Sequence, residues 1–64
     1  MNLVKKTIGK LEFHKNRLID LENCLREGKL TIDCIHFCKG EIENAKDNIE
    51  YYEEILNVLE RKNV

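Results

Sequence analysis

Proline is absent from the 64-residue chain and glycine occurs only three times, so the residues that most often interrupt helices are scarce. Long apolar runs are absent too, because no stretch approaches the roughly 20 residues that span a bilayer. Residues 1–10 also lack the apolar segment of a signal peptide. We therefore expect a cytoplasmic protein that is not inserted in a membrane.

Cysteine occurs in an odd number, three, so the thiols cannot all pair within one molecule, and a reducing compartment keeps them free. The stretch CIHFC places Cys34 and Cys38 on one helix face, with His36 roughly 160° away. A three-thiolate metal site that adds Cys24 is geometrically possible, but its spacing matches no established zinc pattern. We expect Cys24 and Cys38 to be small buried apolar residues, and we predict neither a metal nor another cofactor.

Helical periodicity is what the chain has in abundance. Charged residues make up 36% of it and apolar residues 42%, which is typical of an ordered helical protein. From residue 35 on, apolar side chains alternate spacings of three and four, which predicts a long helix from Ile32 to about Arg61. Thr31 is placed to cap its start, and Asp33 lies in the first turn, where the helix dipole favours an anion. The repeating positions are Ile35, Cys38, Ile42, Ala45, Ile49, Tyr52, Leu56 and Leu59.

The first half repeats the pattern more loosely and predicts a helix from about Leu3 to Glu27. Gly28 is placed to be the left-handed residue that ends this helix. Only residues 28–31 remain as a connection, and so short a link makes the two helices antiparallel. We therefore predict a single domain, residues 1–64, folded as an all-α two-helix hairpin of the coiled-coil type.

Folding the two patterns back on each other brings seven layers into register, and we call this set of layers the seam. Agreement between the local pattern and the global arrangement is the main reason to expect a hairpin. The layers pair Leu25 with Ile35, Leu21 with Cys38, Leu18 with Ile42, His14 with Ala45, Leu11 with Ile49, Thr7 with Tyr52 and Val4 with Leu56.

Further apolar side chains lie outside the seam and widen the apolar arc beyond what one neighbouring helix covers. Exposed apolar surface of this kind usually marks an interface. Two uses compete: self-association into a homodimeric four-helix bundle that completes the core, and binding to a larger protein as an inhibitor or adaptor. The predicted interface residues are Phe13, Ile19, Phe37, Tyr51, Ile55 and Val58.

Catalytic chemistry is not expected from this chain. Nucleophilic catalysis needs a thiol and an imidazole in a concave pocket, and a two-helix hairpin has little concavity. His14 is predicted opposite Ala45, and His36 on the outer face. Neighbouring carboxylates such as Glu53 and Glu54 point apart on a helix and indicate a solvated face. We predict no catalytic residues and a protein that is not an enzyme.

Charge is divided between the two halves. Residues 1–30 hold seven basic and four acidic side chains, and residues 31–64 hold four basic and eight acidic ones. Pairing of a basic helix with an acidic helix explains this division. The architecture and length are similar to the ROP type of RNA-binding hairpin dimer, without a shared motif, and this resemblance implies nucleic-acid binding as the alternative function. Against that alternative, the basic side chains scatter around the first helix: Lys5, Lys6, Lys10, Lys15 and Arg17.

Composition gives a further hint. One alanine, seven isoleucines, seven asparagines and eight lysines against three arginines are associated with AT-rich bacterial or phage genomes. Very small proteins without chemistry of their own commonly act by binding larger ones. We therefore expect a helical interaction protein that regulates or inhibits a larger bacterial or phage-targeted protein, with phage counter-defence as one specific version. Gly9 and Gly40 fall at the outermost heptad position, where simple tolerance is favoured over close approach of another backbone.

Overall fold

The protein folds as two α-helices joined by a short link. The computed structural model describes residues 2–62, in which α1 (Leu3–Glu27) and α2 (Ile32–Lys62) pack against each other and no strand occurs. The prediction of an all-α two-helix hairpin is confirmed. No helix in the described part of the chain is long and apolar enough to cross a membrane.

Both helices begin at a capping side chain. At the start of α2, Oγ1 of Thr31 accepts a hydrogen bond of 3.2 Å from the Cys34 N–H, so the predicted cap is confirmed. At the start of α1, Oδ1 of Asn2 accepts a hydrogen bond of 2.9 Å from the Val4 N–H. Sequence reasoning missed this cap, although asparagine is among the preferred residues at that position.

Gly28 ends α1, but not in the way that we predicted. Its backbone is extended, with φ of −82° and ψ of 145°, and no residue among 2–62 has a positive φ. The Gly28 N–H donates a hydrogen bond of 2.8 Å to the Cys24 carbonyl. A Cβ at this position would lie 2.5 Å from that carbonyl oxygen and 3.1 Å from Cγ of Leu30. Glycine is therefore needed here because the backbone and a side chain approach closely, and not because the chain turns left-handed.

The core of the hairpin is the seam. Every residue of the seven predicted layers is buried or half-buried between α1 and α2. The Thr7 hydroxyl donates a hydrogen bond of 2.8 Å to the Leu3 carbonyl, so this buried polar group is satisfied within its own helix. The least exposed residues are Ala45 at 2%, Thr7 at 4%, Leu11 at 6% and Ile42 at 9%.

Across the seam, the His14 ring stacks on the Tyr52 ring, with centroids 5.6 Å apart and planes at 15°. Side chains on a helix lean toward its N-terminus, and in antiparallel helices the leaning rings of these two residues approach each other. The His14 ring, which we predicted opposite Ala45, therefore reaches along the seam toward the chain termini.

Candidate interaction surface

Two ion pairs mark the two edges of the seam. Nη2 of Arg17 lies 3.0 Å from Oε2 of Glu41 along one edge, and Nζ of Lys15 lies 3.8 Å from Oε2 of Glu53 along the other. All four side chains are partly exposed, so each pair contributes little, about 0 to 1 kcal/mol. Their value here is geometric: because Arg17 and Glu41 meet, residues at intervals of seven from either one lie along the same edge.

The edge marked by Arg17 and Glu41 is mostly apolar toward both ends of the hairpin. Intervals of seven place Leu3 and Cys24 there on α1 and Cys34 and Ile55 on α2, together with Lys10 and Asn48. Leu3 and Ile55 line one surface hollow together, which agrees with this assignment.

A second row of positions lies next to this edge, about 40° further around each helix from the seam. Each residue of the second row precedes a residue of the edge by four positions in the sequence. Phe13, Phe37, Tyr51 and Val58 occupy it, each exposed over half or more of its surface. The two rows of α1 and the two rows of α2 form one side of the hairpin, which we call the apolar face. Its apolar residues are Leu3, Phe13, Cys24, Cys34, Phe37, Tyr51, Ile55 and Val58.

Two open hollows of the apolar face lie beside exposed aromatic side chains. One lies on α1 beside Phe13, and the other lies on α2 between Tyr51 and Val58. Hollows bordered by exposed aromatic side chains are where a partner's side chains can insert and be desolvated, as at the centre of an interface. The first is lined by Phe13, Asn16, Arg17, Asp20, Leu21 and Cys24, and the second by Tyr51, Glu54, Ile55, Val58 and Leu59.

Ile19, which we predicted with the interface residues, lies on the opposite side of the hairpin, 54% exposed. Ile8 and Ile32 are exposed on that side as well, among charged side chains that include Lys15 and Glu53. Five of the six predicted interface residues thus share one face, and Ile19 does not. The signal that separates them is present in the sequence: Phe13 and Ile19 are six residues apart, so they lie about 120° apart around α1, on opposite sides of the seam.

The three cysteines lie toward the turn end of the hairpin. Cys24 and Cys34 are exposed and Cys38 is half-buried, so the expectation that Cys24 is buried is wrong. Cys24 sits on the edge of the hairpin and lines the hollow beside Phe13. Burial, together with the nearby Cys24 thiol, raises the pKa of Cys38. Among the described residues, no three His, Cys, Asp or Glu side chains are arranged to hold a metal ion.

The basic residues of α1 do not form one surface. Lys15 and Arg17 lie on opposite edges of the seam and each pairs with a glutamate of α2. This is the arrangement expected from a basic helix packed on an acidic one. Phosphate binding would require these side chains to leave their carboxylate partners.

Comparison with protein-family models, with curated proteins and with solved structures finds no match to this chain.

Proposed function

We propose that this protein is a non-enzymatic interaction protein that regulates or inhibits a larger bacterial or phage-targeted protein by binding it. The observation that carries the proposal is the apolar face: among the described residues, eight apolar ones lie on this side of the hairpin, against three exposed isoleucines on the other side. Phe13 is 61% exposed, Tyr51 58% and Phe37 57%. Aromatic side chains in such a setting are the usual anchors of protein interfaces.

The physical argument for a binding partner is that the hairpin leaves apolar surface exposed to water. Two helices bury one seam, and no second layer among residues 2–62 covers the apolar face. Burying it on another polypeptide stabilises the complex by about 25 cal/mol for each Å² of apolar surface removed from water. Helices that lay an apolar stripe into a partner's groove are a recurring mode of recognition.

The same face is suited to a second copy of the chain, which would complete a four-helix bundle as a homodimer. Regulation and self-association then involve one surface. A cytoplasmic site of action and a role in phage counter-defence, the latter suggested by the composition, are specific forms of this proposal.

The proposal is tested by capturing the target with the wild-type protein and with variants that each replace one exposed apolar residue by glutamate. Tagged wild-type protein, Phe37→Glu, Val58→Glu and Ile19→Glu are each used on lysate of the natural host, and bound proteins are identified by mass spectrometry. The captured protein is then purified, and its affinity for each variant and its own activity are measured. We expect the two apolar-face variants to bind at least tenfold more weakly, and Ile19→Glu to bind like the wild type.

Equal binding by all four proteins would place the contact elsewhere on the hairpin. A target that binds without any change in its activity would make the protein an adaptor and contradict the inhibitor form of the proposal.

A further inference from the structure

We infer that, in the free protein, the apolar face is covered by a second copy of the chain docked antiparallel, with the turn end of one hairpin over the chain termini of the other. This inference rests on the proposed function, because it assigns an occupant and an orientation to the same face. The two-fold axis then lies in the plane of the interface and runs across the hairpin's long axis.

The dimensions fit such a dimer. The hairpin measures 49 × 16 × 15 Å, so its broad face matches the roughly 800 Å² per partner of a standard interface. Its accessible surface is 5250 Å², whereas a compact monomer of 7.6 kDa exposes about 4,300 Å². The additional exposed surface of the hairpin is comparable to the area that one partner buries in a standard interface.

Charges on the apolar face are ordered along its length. Lys6 and Lys10 lie on the half nearer the chain termini, and Asp20 and Glu27 lie on the half nearer the turn. All four belong to α1 and to the two rows that form the face. Arg17 lies between the two groups, and its ion pair with Glu41 offsets its charge.

A face-to-face pair has two symmetric orientations. In the antiparallel one, α1 lies over α1 of the second copy, and the lysine half of each helix meets the acidic half of the other. In the parallel one, α1 lies over α2 of the second copy, so that Lys6 and Lys10 come to rest on the apolar residues near Ile55 and Val58. Charges desolvated without a partner are costly, so the antiparallel orientation is favoured.

The same axis also brings apolar groups together. The midpoint between Lys6 and Glu27 falls near residue 16 of α1. The layers of the seam set this level beside about residue 44 of α2. The same axis therefore sets Phe37 of one copy at the level of Tyr51 of the other, which borders the second hollow.

Charge reversal with rescue tests the orientation. The dimer dissociation constant is measured by native mass spectrometry and analytical ultracentrifugation for the wild type, for Lys6→Glu with Lys10→Glu, for Asp20→Lys with Glu27→Lys, and for all four changes combined. We expect each double variant to dimerise at least tenfold more weakly and the fourfold variant to recover most of the loss. Circular dichroism checks that helicity is unchanged.

A matched control reverses Lys5 and Glu12, which are exposed on the side away from the apolar face, and should leave the dissociation constant unchanged. A protein that stays monomeric to millimolar concentration, or a dimer that neither double variant weakens, would overturn the inference. Target capture that needs Phe37 and Val58 in a strictly monomeric protein would uphold the proposed function and refute only the dimer.

Discussion

Ile42 lies in the middle of the seam with 9% of its surface exposed, and replacing it with aspartate should unfold the hairpin. Removing a buried isoleucine side chain costs about 2 to 5 kcal/mol. Burying an unpaired carboxylate in its place adds a further penalty of several kcal/mol. A single core of this size rarely supplies more than about 3 to 5 kcal/mol, so the sum of the two effects exceeds the available stability.

The matched control is Ile32→Asp, the same substitution in the same helix at a position that is 73% exposed. Ile32 opens α2, where a negative charge interacts favourably with the helix dipole, by about 0.3 to 1 kcal/mol. Ile32→Asp should therefore melt at or slightly above the wild-type temperature. Thermal and urea unfolding followed by circular dichroism at 222 nm, at one fixed protein concentration, separates the two variants.

Acidification sharpens the Ile42→Asp experiment. Burial disfavours the charged carboxylate, so protonating it removes the larger part of the penalty, and some helicity should return as the pH falls toward 4. A cooperative melt of Ile42→Asp at neutral pH, within a few degrees of the wild type, would refute the assignment of Ile42 to the core and with it the seam.

Three other predictions follow from particular positions. Gly9→Ala and Gly40→Ala should each stabilise the protein by about 0.5 to 1 kcal/mol, because a Cβ there would meet no described atom within 4 Å, whereas Gly28→Ala should destabilise it; urea titrations compare the three variants. Iodoacetamide should modify Cys38 more slowly in the native protein than in urea at pH 8, since burial raises its pKa and lowers the thiolate fraction; equal rates, read by peptide mass mapping, would contradict this. No electrophoretic shift of RNA or DNA is expected at low salt, and a shift that weakens steeply with added salt would favour the ROP-type alternative.

The seam was predictable because a sustained spacing of three and four residues has few physical interpretations other than a helix with one buried stripe. The cap at Thr31 was predictable for a similar reason, since a hydroxyl just before an apolar repeat has a defined hydrogen-bonding partner. Gly28 was assigned the wrong role because glycine serves both left-handed turns and close contacts. Which of the two applies depends on the position of the Cys24 carbonyl, and that is set only when the link folds.

The interface residues illustrate what a helix-by-helix reading of the sequence leaves out. Phe13 and Ile19 are equally apolar and nearly equally exposed, at 61% and 54%. Counted only as residues outside the seam, the two look alike, although they lie about 120° apart around α1. The packing of α2 shows what each side carries: Phe13 lies on the side of Phe37 and Tyr51, and Ile19 lies on the side of the Lys15 and Glu53 pair.

A single apolar face that binds both a second copy and a target has a consequence for regulation. Each dimer must open before its face can meet the target, so the apparent affinity for the target falls as the protein's own concentration rises above its dimer dissociation constant. Val58→Glu should abolish both equilibria together, whereas the charge reversal at Lys6 and Lys10 weakens the dimer and leaves the aromatic anchors in place. Apparent target affinity, measured by titration at several total concentrations of the hairpin, should therefore fall with concentration in the wild type, and in the Lys6 and Lys10 variant only at concentrations at least tenfold higher. A target that binds the intact dimer as tightly as the monomer would show instead that the charged side of the hairpin, and not the apolar face, carries the regulatory contact.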